Sequence, residues 1–169
     1  SRELYIERDD FMEEAPNKKY FRLALGKEVR LKNAYIIKGE RVEKNEDGEI
    51  AAVYCTYDPL SKTGDVNAGR KIKGTLHWVE CASAVPAVIR LYDYLLKEGE
   101  GDFMERLNPD SMEALHGFVE PQAAAAQPGD RFQFMRMGYF VADEKLFASE
   151  QPVYNQIVGL KDSFAKTLK

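Results

Sequence analysis

Apolar and polar residues alternate in short stretches along most of this chain, and that alternation predicts strands. In LYIERDDF, Leu4 and Ile6 fall on one side and Tyr5 and Glu7 on the other, the period-two pattern of a half-buried strand. KEVRLKNAYIIKGERVEK, from Lys27 to Lys44, is rich in β-branched and aromatic residues and alternates at Val29 and Leu31. NEDGE, from Asn45 to Glu49, is a turn whose Asp47-Gly48 pair suits positive φ, and IAAVYCTYD returns as a strand. Residues 27–57 are therefore expected to form a long hairpin. KIKGTLHWV sets Ile72, Gly74, Leu76 and Trp78 against Lys71, Lys73, Thr75 and His77. AVIRLYDYLL suits strand or helix, with Pro86 and Val88-Ile89 favouring strand at its start. RFQFMRMGYFVAD reads as one strand, with Phe132, Phe134 and Arg136 on one face and Arg131, Gln133, Met135 and Met137 on the other. VYNQIVGL is the last strand.

Helix is expected only in short pieces near 82–85, 101–107 and 109–114, the last with Pro109 at a first-turn position. VEPQAAAAQPGD is read as a loop. Many short strands between polar turns predict an all-β, mainly antiparallel fold of barrel or sandwich type.

Composition changes this picture little. A chain of 169 residues can bury a core, as one domain or two small ones, and no apolar run approaches the ~20 residues that span a bilayer. It opens on a polar stretch without Met, which suggests a fragment or processed piece. Two cysteines, Cys55 and Cys81, are too few for a disulfide framework and favour a reducing compartment. Charge is more informative. The net charge is −4, yet residues 16–97 hold fifteen cations and ten acids, whereas 1–15 hold two cations and six acids and 98–169 hold seven and twelve. The excess peaks in NKKYFRLALGKEVRL, where five cations accompany one acid. That segregation suggests a polyanionic partner for the middle of the chain, and on charge alone a chance excess on a solvated face stays open beside it.

No catalytic chemistry is marked. The chain has no Gly-rich phosphate loop, and LALGKE lacks the second Gly and the Ser/Thr such a loop needs. His77, Cys81, Cys55 and His116 lack metal-ligand spacing, and Asp9-Asp10 and Glu13-Glu14 read as solvated loop acids. What stands out is cations and an amide beside aromatics on expected strands. Tyr20, Phe21, Arg22 and Arg30 lie on one segment, and Arg131, Gln133 and Arg136 on another. Arginine offers a planar fork to phosphates and base edges, glutamine a donor and an acceptor, and aromatics a stacking face for unpaired bases.

The stretches YIERDDFMEEAPNKKYFRLALGKEVRLKNAYIIKGERVEK, CTYDPLSKTGDVNAGRKIKGTLHWV, AVIRLYDYLL, LNPDSM, RFQFMRMGYFVAD and PVYNQIVGLKD occur in this order. Together they resemble the C-terminal anticodon-binding region of the glutaminyl-tRNA synthetases, over nearly the whole chain. Glutamyl-tRNA synthetases of the non-discriminating or eukaryotic type share that region and are the nearest alternative. A barrel like that of the 5S-rRNA-binding ribosomal proteins is another, though such proteins are usually basic. A protein-interaction module without an RNA role is a third.

The resemblance implies two antiparallel β-barrels with a few short helices. A distal one would span 16–97, and a proximal one would combine 1–15 with 98–169. It implies that the chain is the non-catalytic part of a cytoplasmic, monomeric glutamine–tRNA ligase, with no catalytic residue, metal or cofactor of its own. ATP and Mg would serve the parent's catalytic domain. The partners implied are the anticodon loop of tRNA(Gln) and that catalytic domain, and no membrane. By the same resemblance Arg22 reads the third anticodon base, with Lys19 and Tyr20 beside it. Arg30 serves the first base and its phosphate, and Gln133 and Arg136 serve the central uridine and nearby backbone. Two positions depart from the family pattern. Phe21 stands where a lysine is usual, offering stacking in place of a polar contact, and Met135 stands where glutamate is common.

Overall fold

Strand pairing follows the alternation in the first half of the chain. The computed structural model describes residues 2–160. Residues 161–169, the end of the span expected in the proximal barrel, lie outside them. The chain divides into two units, Ser1–Trp78 and Val79–Lys169.

The first unit contains β1 (Leu4–Tyr5), β2 (Phe11–Met12), β3 (Leu23–Ala24), β4 (Glu28–Leu31), β5 (Ile36–Lys44), β6 (Ile50–Asp58) and β7 (Thr75–Leu76). Its main sheet has the order β6-β5-β4-β7, antiparallel except for the β4–β7 pair. β2 and β3 pair in parallel. The expected hairpin forms, and its turn closes with the Asn45 N–H donating to the Glu49 carbonyl at 2.9 Å. Phe11, Leu23, Val29, Leu31 and Leu76 form the core beneath it. Two expected strands are shorter than their patterns. LYIERDDF is broken by a 3-10 turn at Arg8–Asp10, and in KIKGTLHWV only Thr75–Leu76 pairs in this unit.

The second unit contains β8 (Val79–Glu80), β9 (Val85–Tyr92), β10 (Met112–Val119), α1 (Pro121–Ala124), β11 (Arg131–Phe134), β12 (Gly138–Ala142) and β13 (Val153–Gly159). Five of these strands form one sheet in the order β10-β9-β13-β12-β11, parallel only between β13 and β9. The fold is thus all-β and mainly antiparallel. β9, which belongs to the expected 16–97 span, pairs along its length with β10 and through Val88, Ile89 and Arg90 with β13 in this second sheet.

The short helices fall elsewhere than expected. Residues 82–85 make a turn that runs into β9. The stretch 109–114 is a turn that enters β10 at Met112, because β10 pairs with β9 from Met112–Tyr92 to Val119–Val85, and eight consecutive rungs outweigh a weak local helix preference. In 101–107 a reciprocal cap does form. The Glu105 N–H donates to Asp102 Oδ1 (2.9 Å) and the Asp102 N–H to Glu105 Oε2 (3.1 Å). No helix follows it, because a bridge between Leu96 and Leu107 folds the segment back on itself. The only α-helix among the described residues is α1, inside the stretch read as a loop. Pro121 starts it, where a missing N–H costs nothing, and the alanines after it are strong helix formers.

RFQFMRMGYFVAD is a hairpin and not one strand. The Met137 N–H donates to the Phe134 carbonyl at 3.0 Å, and Arg136 takes φ +67° in the turn. Gly138 follows at φ +150°, where a Cβ would lie 2.4 Å from the Val158 carbonyl oxygen, so only glycine lets β12 approach β13 here. Phe132 and Phe134 pack against the core of Phe140, Tyr154, Ala87 and Val119, with Phe134 stacked on Phe140 at 4.6 Å.

Tyr154 is central to that core, and its hydroxyl donates to the Ala123 carbonyl at 2.8 Å, tying α1 to the sheet. Burial pushes its phenol from the ordinary 10.0 up to about 12. The folded state therefore holds this proton where the unfolded chain loses it. The associated stability is complete below pH 10 and drains away between about 10 and about 12. Tyr154→Phe should cost about 0.5–1.5 kcal/mol at pH 7, from the lost hydrogen bond. It should also show a shallower alkaline loss than the parent, both read by urea unfolding from pH 7 to 11.

Candidate nucleic-acid interface

The basic segment forms one wall of an open groove on the first unit, with a volume of about 530 Å³. Lys18 and Arg22 come from the segment before β3, Lys27 from the turn into β4, Lys38 from β5, and Lys71 and Lys73 from the stretch leading to β7. Glu28 is the acid among its lining residues. It is bound to Arg70, which also reaches Asp58 at 3.4 Å. Cations brought together from four stretches of chain make a field that attracts an anion and repels the acids elsewhere on the surface.

The segment is held residue by residue. Tyr20 is 1% exposed, its hydroxyl donating to the Leu23 carbonyl at 3.3 Å, and burial raises its phenol above the ordinary value. Its own carbonyl accepts from Lys27 Nζ at 3.3 Å. Arg22 donates from Nη1 to the Asp9 carbonyl at 2.9 Å, and its Nε faces Asp10 Oδ1 at 3.6 Å. Asp10 is 2% exposed and so is not the solvated loop acid expected. Between these anchors Phe21 points outward at 45% exposure, with Lys73 Nζ 5.5 Å from its ring centroid. Lys19 is exposed, and its backbone N–H is capped by Asn17 Oδ1 at 2.8 Å.

Arg30 is committed to the protein. Nη1 donates to the Ser61 carbonyl at 2.7 Å, and Nη2 to the carbonyls of Ala68 at 3.1 Å and Arg70 at 3.3 Å. The loop between β6 and β7 is thereby stapled onto β4. Ser61 adds to the staple, accepting from the Ile36 N–H at 2.8 Å while its hydroxyl donates to the Asp58 carbonyl at 2.6 Å.

In the second unit, Gln133 is exposed on β11 and faces Tyr139, 44% exposed, across the β11–β12 ladder. Arg136 is half-buried in the turn that joins these strands. The structure thus brings Tyr20 and Arg22 to one groove, leaves Lys19 exposed and outside its lining, sets Arg30 in a loop staple, and places Gln133 and Arg136 on one hairpin.

A family model described as tRNA synthetases class I (E and Q), anti-codon binding domain, matches residues 75–143, and a second of the same description matches residues 1–58. The chain belongs to this family. Glutamine–tRNA ligase of Serratia proteamaculans (strain 568) is 52% identical over 170 residues, which is 98% of this chain and 30% of that protein. That of Proteus mirabilis (strain HI4320) is 52% identical over 173 residues, 100% of this chain and 31% of that protein. The enzyme of Clostridium perfringens is 50% identical over 169 residues, 97% and 30% of the two chains. The chain therefore spans about 30% of the length of these relatives.

Among groove residues, Lys18, Arg22, Lys27 and Lys38 lie within one matched stretch of the anticodon-binding family, while Lys71 and Lys73 lie between the two. Lys38, Lys71 and Lys73 are not among the binding residues expected from the sequence. The signal for the last two was present in KIKGTLHWV, whose lysines share the polar side of the alternation. Lys38 carried no signal, since its neighbours in the groove are distant in sequence.

Gly74, next to the groove residue Lys73, packs against the backbone of Phe21. At φ +112° a Cβ would sit 2.2 Å from the Phe21 carbonyl oxygen, and its own carbonyl accepts from the Arg30 N–H at 3.0 Å. Gly74→Ala should destabilise the chain by about 2 kcal/mol or more in urea unfolding, through backbone strain and the displaced Phe21 segment. Amide exchange at Arg30 should accelerate with it.

Proposed function

We propose that this chain is the anticodon-binding part of a glutamine–tRNA ligase and takes the anticodon loop of tRNA(Gln). The groove of six cations around one acid, built on a fold of this family, is the observation that carries the reading. An anticodon loop offers closely spaced phosphates and unstacked bases, and the groove offers ammonium groups, a guanidinium and an aromatic ring. In this reading the parent enzyme is cytoplasmic and monomeric, and its remaining length carries out aminoacylation with ATP and Mg. The chain forms two barrel-like units, with β9 counted in the second. Among the described residues no helix is long and apolar enough to cross a membrane.

The residue roles in this reading are those that the family resemblance implies. Arg22 is aimed by Asp9 and Asp10 and meets the third anticodon base, with Lys19 on its flank. Tyr20 acts through packing, fixing the backbone from which Phe21 and Arg22 project. Arg30 meets the first nucleotide with whatever donors its three carbonyl bonds leave over, and by shaping the adjoining loop. Gln133, with a donor and an acceptor on one exposed amide, suits the central uridine, and Arg136 the backbone beside it.

The test is binding of a tRNA(Gln) anticodon-arm hairpin at several salt concentrations. The affinity should fall steeply with salt, and Lys71→Ala should reduce the log–log slope by roughly 0.7, one phosphate's worth on a single strand, with unchanged base preference. Arg22→Ala should cost about 1–3 kcal/mol and relax discrimination at one anticodon position. Its stability must be measured alongside, since it removes a cation facing buried Asp10. Salt-independent binding, or equal affinity for an unrelated hairpin in every variant, would refute the reading.

A further inference from the structure

Phe21 is the feature of the groove that charge does not explain. A half-exposed phenyl ring costs hydration free energy and is ordinarily turned inward when the chain allows. Here the chain does not allow it, because Tyr20 already fills the core position and Arg22 is tied to Asp9 and Asp10. The Phe21 carbonyl, in turn, lies against Gly74. The backbone on both sides of the ring is fixed before any ligand arrives, so a partner pays little ordering entropy to use it. The surroundings specify the partner's chemistry. Lys73 Nζ lies 5.5 Å from the ring centroid, and Lys18 and Lys71 line the same groove. A purely apolar partner gains nothing from these ammonium groups, and a simple anion gains nothing from the ring. A nucleotide carries both a flat π face and a phosphate.

We propose that Phe21 is a stacking platform for one unpaired nucleobase of the bound RNA, with the lysines around it holding that nucleotide's phosphates. This rests on the anticodon-loop reading above and adds a contact that is independent of base identity. Stacking contributes affinity for any base, while the neighbouring Arg22 supplies the hydrogen bonds that choose among them.

The experiment uses this chain, the tRNA(Gln) anticodon-arm hairpin, and a set of hairpins in which each loop nucleotide in turn is made abasic. Phe21→Ala should weaken the intact hairpin about 5- to 150-fold, the equivalent of ~1–3 kcal/mol for one stacked base. The salt slope should stay unchanged, since no charge is lost. With the abasic site at the stacked position the Phe21→Ala loss should vanish, and at other positions it should persist. Phe21→Trp should retain or improve binding, which keeps the test decisive if the alanine variant folds poorly. The proposal is overturned if Phe21→Ala binds as tightly as the parent, if its loss is the same on every abasic hairpin, or if Phe21→Trp binds as weakly as a destabilised chain. Failure of the unmodified chain to bind any hairpin overturns the anticodon-loop reading and this contact with it. Normal parental binding with no Phe21 effect overturns this contact alone.

Discussion

The first unit depends on a close approach of two backbones. Gly74 lies against the Phe21 carbonyl, where any side chain would collide, and its own carbonyl takes the Arg30 N–H. That contact brings the stretch carrying Lys71 and Lys73 to the segment carrying Lys18 and Arg22. It also registers β7 against β4, with Arg30 opposite Thr75 and Leu31 opposite Leu76. A looser approach would leave the same lysines dispersed over the surface, and their summed field would weaken with separation.

Gathering like charges carries an electrostatic penalty that the structure offsets locally. Lys38 pairs with Glu40 at 3.2 Å, and Glu40, which also accepts from the Thr56 hydroxyl at 2.9 Å, is held below its ordinary pKa by that bond first and by Lys38 second. Arg70 is shared between Glu28 and Asp58, and Lys27 caps the Tyr20 carbonyl. Such exposed pairs are individually weak, and their use is to set the direction in which each cation points. Lys18, Lys19, Lys71 and Lys73 are exposed, which suits contacts that must form and break with salt.

The second unit applies the same logic to a hairpin. Asp143 accepts from Asn155 Nδ2 at 2.7 Å and faces Arg90 at 3.6 Å, linking β9, β13 and the end of β12. Its carboxyl is held below the ordinary value by Asn155 first and then by the backbone N–H groups of Lys145 and Leu146. With β13 fixed on both sides and Gly138 admitting β12, the β11–β12 hairpin presents Gln133 and Tyr139 outward while Phe132 and Phe134 pack inward.

Much of the fold was written in local pattern. The alternation in 27–57 sufficed for the hairpin because both strands and their turn are contiguous, and the cationic excess of 17–31 was visible as composition. The helical expectation at 109–114 failed because the competing β9 strand lies about twenty residues earlier and enters no local window. The hairpin at 131–142 was hidden because its turn hinges on Arg136 and Gly138, and the need for glycine there comes from Val158. The candidate site divides along the same line. By itself the sequence determined which side chains carry positive charge and which offer a π face. Only the tertiary structure decided that Tyr20 turns in and Phe21 out, that Asp10 is buried against Arg22, that Arg30 spends its guanidinium on a loop, and that Lys38, Lys71 and Lys73 join the groove. An irregular segment has no periodicity to say which neighbour faces the core. That choice is made by contacts with strands far along the chain, and those contacts exist only once the chain has folded.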